Sequence, residues 1–92
     1  MKTEQIDNEN KGYFKAVENG TEAGRMTYSR AGKTKIIIDH TEVGQEYGGR
    51  GVGKKMVMAA VDYARKNNIK ILPLCPFAKS VFDRMEEIRD VL

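Results

Sequence analysis

The segment Gly48-Gly49-Arg50-Gly51-Val52-Gly53-Lys54 puts four glycines into seven residues. It lies between a strand-like run that ends near Val43 and a run with helical spacing that starts at Val52. Glycine lets a backbone approach a ligand closely, and amides at a helix start have no partner inside the helix. Such amides, with the helix dipole behind them, attract an anion. The spacing therefore predicts a phosphate or pyrophosphate site, with Arg50, Lys54 and Lys55 adding positive charge. Two other side chains have reactive chemistry, since Cys75 and His40 are the only cysteine and histidine. Cys75 precedes a helix start, where a thiol pKa can be depressed; a lone cysteine near a strand end also reads as a small packing residue. His40 lies within a strand and reads as functional or as merely structural or exposed. Two ligands are too few for a closed zinc site, so no metal is expected.

The elements that must position these residues divide the chain into two halves. Tyr13–Val17, Glu22–Ser29 and Lys35–Val43 have strand character, the last rich in β-branched residues. Asn19-Gly20 and Arg30–Lys33 are the turns between them, so the first half reads as an antiparallel meander. Met1–Asn10 has little apolar content and is expected to fray. From Val52 the period changes: Val52, Met56, Ala59, Ala60, Tyr63 and Ala64 share a helical face, and Asn67-Asn68 stops the helix. Ile69–Leu74 reads as a strand with Pro73 at its end, edge or a bulge. A helix over Phe77–Met85 follows, either ending there or running on to Leu92. Strand, helix and strand in succession predict a parallel pair joined by a right-handed crossover. The fold class is α+β, a mixed α/β arrangement of helices on a mostly antiparallel twisted sheet.

Length and charge set bounds. The 92 residues suit one domain, 1–92, with a small core. One cysteine excludes an internal disulfide and suits a reducing cytoplasm. No apolar run is long enough for a membrane span, and no signal peptide is visible. A net charge of +3 and a pI near 9.1 suit an anionic ligand. They do not make a nucleic-acid surface, because the cations are dispersed and no recognition motif is present. A monomer is expected.

Three glycine motifs compete for the loop. A dinucleotide fingerprint fails, since Lys54 or Met56 falls where its last glycine is needed. The nucleotide P-loop pattern is met by Gly48, Gly53 and Lys54, but Lys55 replaces its magnesium-binding hydroxyl residue. The third reading covers more of the chain. Residues 36–65 resemble the acyl-coenzyme A segment of the GCN5-related N-acetyltransferase superfamily, whose loop has the form [QR]-x-x-G-x-[GA]. Gly51 and Gly53 match, while Gly48 stands where Gln or Arg is usual. The superfamily's later N-x-x-A-x-x-x-Y pattern is met by Ala78, with Cys75 in place of Asn and Phe82 in place of the Tyr often assigned as general acid. Asp39–Val43 and Pro73–Phe77 resemble the minimal single-domain YjdJ-type acetyltransferase-like proteins, and the likeness extends over roughly residues 12–86.

That resemblance implies an acetyl-coenzyme A site formed by Val43, Gly48, Gly49, Arg50, Gly51, Val52, Gly53, Lys54 and Lys55. Phe82, like Phe77, is core by spacing and a candidate border of the pantetheine or adenine. It also implies that the strands flanking the first helix splay apart around the pantetheine, with the thioester near His40 and Cys75. A Cys75 thiolate could then attack the thioester, with His40 taking its proton. Two functions follow: an acetyltransferase acting on an amine or thiol acceptor, directly or through Cys75, or a non-catalytic acetyl-coenzyme A or coenzyme A binding module, a sensor or partner subunit. With little chain left for an acceptor pocket, a protein lysine or N-terminus is the expected acceptor.

Overall fold

The structure is a computed structural model that describes residues 1–92. Its elements are β1 (Lys2–Asp7), β2 (Lys11–Glu18), β3 (Thr21–Arg30), β4 (Lys35–Val43), α1 (Val52–Asn67), β5 (Lys70–Pro73) and α2 (Pro76–Arg84), with 3₁₀ turns at Gln45–Tyr47 and Glu86–Val91. One sheet runs β1-β2-β3-β4-β5. The first four strands are antiparallel neighbours, and β5 returns parallel to β4 after the α1 crossover.

Local chemistry sets the turns. Asn19 and Gly20 both have positive φ, 51° and 79°, the signature of a tight hairpin turn matched to strand twist. Asn68 ends α1 in the left-handed region; its amide bonds Arg65 O and the Ile69 amide bonds Ala64 O, the paired capping pattern of a helix C-terminus. The buried stripe of α1 is Val52, Gly53, Met56, Val57, Ala60, Val61 and Ala64. Relative to the expected face it is rotated to take in Val57 and Val61, leaving Ala59 and Tyr63 half-buried.

One expectation is corrected and one alternative is decided. The N-terminal segment, read from sequence as an end without regular structure, forms the edge strand β1, paired with β2 from Lys2↔Val17 to Asp7↔Gly12. Its anchors are polar, which is why low apolar content misled. The Tyr28 hydroxyl donates to Asp7 Oδ1 at 2.6 Å and accepts from Gln5 Nε2 at 2.9 Å, and Arg30 donates to Asp7 Oδ2 at 2.6 Å. The last helix does not continue to Leu92. Met85, at φ −121° and ψ 86°, leaves the helical region, and a 3₁₀ turn over Glu86–Val91 buries Ile88 and Val91 instead.

All 21 buried apolar residues form one cluster, from Phe14, Met26 and Tyr28 in the sheet to Met56 in α1 and Phe82 in α2. Two irregularities of β4 decide which side chains face the helices and where the sheet opens. Thr27 pairs with His40 and Tyr28 with Ile38, so Asp39 has no partner and forms a bulge. Before the bulge Ile36 and Ile38 face the helices; beyond it, paired with buried Met26 and Gly24, Thr41 and Val43 face that way. Paired with Thr27 and Arg25, His40 and Glu42 face the other side of the sheet, where Tyr13, Arg25 and Thr27 are only half-buried or exposed. The second irregularity is the end of the β4–β5 ladder at Ile38↔Pro73. There the Leu74 and Cys75 amides both donate to Ile38 O at 3.1 Å, and the two chains diverge, β5 into α2 and β4 on to Val43.

Candidate functional site

The divergence opens a groove of about 550 Å³ between the end of β4, the glycine loop, the start of α1 and α2. The loop is folded by its own backbone: the Tyr47 amide donates to Gly44 O, Gly48 to Gln45 O and Arg50 to Tyr47 O. Gly49 and Gly51 have φ of 76° and 74°, a region that L side chains enter at a cost. The first bond of α1 runs from the Lys55 amide to Gly51 O. The amides of Gly49, Gly51, Val52, Gly53 and Lys54 make no hydrogen bond. All five residues line the groove, and neither a side-chain cap nor an acidic residue occupies the first turn of α1. Five unpaired donors at a helix N-terminus are suited to an anion.

Two glycines serve packing. A Cβ on Gly53 would clash with the edge of the Phe77 ring of α2, so glycine here lets the helices meet. A Cβ on Gly24 would meet Glu42 O at 2.9 Å and the side chains of Met56 and Val52 at 3.1 Å. Gly24 therefore seats the first turns of α1 against the sheet, a role that only the packed fold reveals.

Of the residues expected from sequence, Val43, Gly48, Gly49, Gly51, Val52, Gly53 and Lys54 line the groove. Arg50 and Lys55 do not; they border an adjoining cleft along β1, where Arg50 bonds Glu18 at 2.7 Å and lies over the Tyr47 ring. Phe82 is 1% exposed and belongs to the core, whereas Phe77 borders the groove. Thr41, Tyr47 and Arg84 complete the lining and carry no loop-motif signal in the sequence.

The structure does not bring His40 to Cys75. The His40 ring is exposed on the other face, 3.1 Å from Glu42. Cys75 is buried, with Sγ 3.3 Å from Thr41 Oγ1. Burial alone would raise its thiol pKa; the Thr41 hydroxyl and the Ala78 and Phe77 amides at the start of α2 outweigh it and hold the thiol below its ordinary value. No group of three or more His, Cys, Asp or Glu side chains is placed to hold a metal ion, and no helix is long and apolar enough to cross a membrane.

The sequence model of the GCN5-related N-acetyl-transferase family matches residues 12–91. The chain belongs to this family. A GCN5-like protein of Staphylococcus aureus, solved in solution, is 42% identical over 96% of this chain and 85% of its own, with a TM-score of 0.69. A streptothricin acetyltransferase-like protein of Bacillus anthracis was solved in complex with acetyl coenzyme A; at 22% identity and a TM-score of 0.62 over 74% of this chain and 40% of its own, it shares the fold. Among curated proteins, NATD1 of Gallus gallus is 34% identical over 50 residues, 54% of this chain and 46% of that protein. The chain spans less than half the length of these curated relatives. The mixed sheet with its parallel strand–helix–strand unit is thus the scaffold of a GCN5-related N-acetyltransferase family member.

Proposed function

We propose that the protein binds acetyl coenzyme A in this groove and transfers the acetyl group to an amine. The observation that carries the reading is the set of five unpaired amides over Gly49–Lys54, which suits a pyrophosphate. Lys54 and Arg84 add positive charge within the groove, and Arg50 and Lys55 add it from the adjoining cleft. Val43, Thr41 and Phe77 offer a partly apolar wall for the pantetheine arm, which leads the thioester toward Thr41, the neighbour of buried Cys75.

In this reading the Cys75 thiolate attacks the thioester carbonyl. The carbon–sulfur bond to coenzyme A breaks, and its thiolate leaves and takes up the proton lost by Cys75. An amine then attacks acetyl-Cys75, the Cys75 thiolate departs, and the amine proton passes to that thiolate, restoring the thiol. His40, held by Glu42 on the bare side of the sheet, takes no part in this step. A second reading, binding without turnover, is favoured by one feature: buried Phe82 supplies no proton where the resemblance implies a phenol.

The test is an NMR titration with acetyl coenzyme A followed by intact mass. Amide shifts over Gly48–Lys55 with a one-acetyl gain that disappears in Cys75→Ala support the full reading. Shifts without the gain, and with no transfer to lysine peptides, favour the binding module. An unperturbed loop overturns the site.

A further inference from the structure

A second apolar groove, of about 590 Å³, runs along the free edge of β5 and is not used by the proposed chemistry. Leu72, Leu74 and Leu92 stand on it, exposed by 40%, 61% and 48%. These are three of the seven large apolar residues that the protein exposes. Ile71 and Phe82 form the floor. Exposed apolar residues gathered on one small surface mark an interaction site more often than scattered ones do.

The charge around this groove is one-sided. Lys35, Lys70 and Lys79 border it against a single acidic side chain, Asp83, which is already paired with Lys79 at 3.1 Å. Lys70 donates to the main-chain Asp90 O at 2.7 Å, and Lys35 has no ion-pair partner. A second copy of the chain across a two-fold axis would set these lysines against one another. A partner with acidic residues flanking an apolar stripe would neutralise them.

The backbone decides the form of that partner. The Lys70 and Leu74 amides point to β4, donating to Thr34 O and Ile38 O. With a period of two, the outward amides of β5 fall at Ile71 and at Pro73, which has none. One outward N–H is a poor template for strand addition, so side chains rather than a ladder must do the docking, as when an amphipathic helix lies in a groove. We infer that the β5 edge groove docks an acidic amphipathic helix of another protein, its apolar stripe on Leu72, Leu74 and Leu92 and its carboxylates against Lys35 and Lys70.

The experiment selects from a displayed library of random 16-residue peptides on the wild-type protein, with counter-selection on Leu74→Ser. Leu74 and Lys70 are exposed, and the folded state of each variant is checked by its amide spectrum. Recovery of peptides with apolar residues at i, i+3, i+4 and i+7 among Asp and Glu supports the inference. Such a peptide must shift the Leu72 and Leu74 amides and bind about tenfold more weakly to Leu74→Ser and to Lys70→Glu. Recovery of basic or strand-patterned peptides, or of none, overturns it. So does concentration-dependent dimerisation by sedimentation that Leu74→Ser abolishes, which would assign the face to a second copy. The readout is independent of acetyl-coenzyme A, so its failure leaves the cofactor groove untouched.

Discussion

Cys75 Sγ lies 3.3 Å from Thr41 Oγ1, while His40, one residue earlier than Thr41, points to the opposite face of the sheet toward Glu42. The thiol is thus tuned by a hydroxyl and by helix-start amides, not by an imidazole. Its pKa lies below the ordinary value, so the thiolate forms at lower pH than in an unfolded chain, where the value is about 8.5. Iodoacetamide labelling of Cys75 should be slow, because the residue is buried, yet its pH midpoint should fall below that of free cysteine. Thr41→Val should move the midpoint upward. The linked stability is present above the unfolded value and lost as pH falls through the folded one, so Cys75→Ser should remove that pH dependence.

Separation of the two residues predicts that His40 is dispensable. His40→Asn should leave the acetyl-coenzyme A Kd within about twofold, as expected for an exposed side chain outside the groove. Amine transfer should likewise stay within about twofold, because the His40 ring does not reach Cys75. Isothermal titration and a peptide acetylation assay read the two quantities, and a large change in Kd would place His40 in the cofactor site.

The loop amides predict competition by the bare anion. Inorganic pyrophosphate should displace coenzyme A and shift the Gly49–Lys54 amides. Lys54→Gln should weaken it by about twofold to fivefold, more at low salt than at high. Competition with no loop shifts would assign the anion to the adjoining cleft instead.

Gly53→Ala and Gly51→Ala should differ in kind. The first drives a methyl into the Phe77 ring and should cost about 1–3 kcal/mol, recovered in part when Phe77→Leu makes room. The second meets open space at a φ of 74° and should cost about 1–2 kcal/mol, with no rescue by Phe77→Leu. Denaturant unfolding of the single and double variants tests this.

At the far end of the sheet, Asp7→Ala should cost about 1 kcal/mol, the low end for a charged hydrogen-bond network because the carboxylate is 40% exposed. Burial raises the Asp7 pKa, and the Tyr28 and Arg30 bonds outweigh it, so the net shift is downward. The stabilisation is present above the unfolded carboxylate value of about 3.9 and lost as pH falls through the folded one. Hydrogen exchange in β1 should accelerate over that window and in Asp7→Ala at neutral pH.

Much of the fold was readable in the chain. Asn19-Gly20, Asn68, Gly49 and Gly51 occupy positive-φ positions, and a local conformational demand leaves a local mark. The meander and the crossover follow from periods of two and 3.6. Nonlocal packing leaves no such mark. Gly53 reads as a ligand glycine until α2 lays Phe77 against it. Thr41 and Arg84 reach the groove only through the placement of distant elements. The facing of His40 was illegible for a different reason: Ile36-Ile37-Ile38 is apolar throughout and carries no alternation from which to count, so the Asp39 bulge is invisible. β1 escaped because its anchors are polar side chains that meet only in the folded sheet.

Where β4 parts from β5, the sheet stands as a partition between the groove and the exposed face that carries His40. A molecule held on the helix side and one arriving at the bare side share no floor space. Whatever fills the groove therefore leaves the bare face of the sheet uncovered.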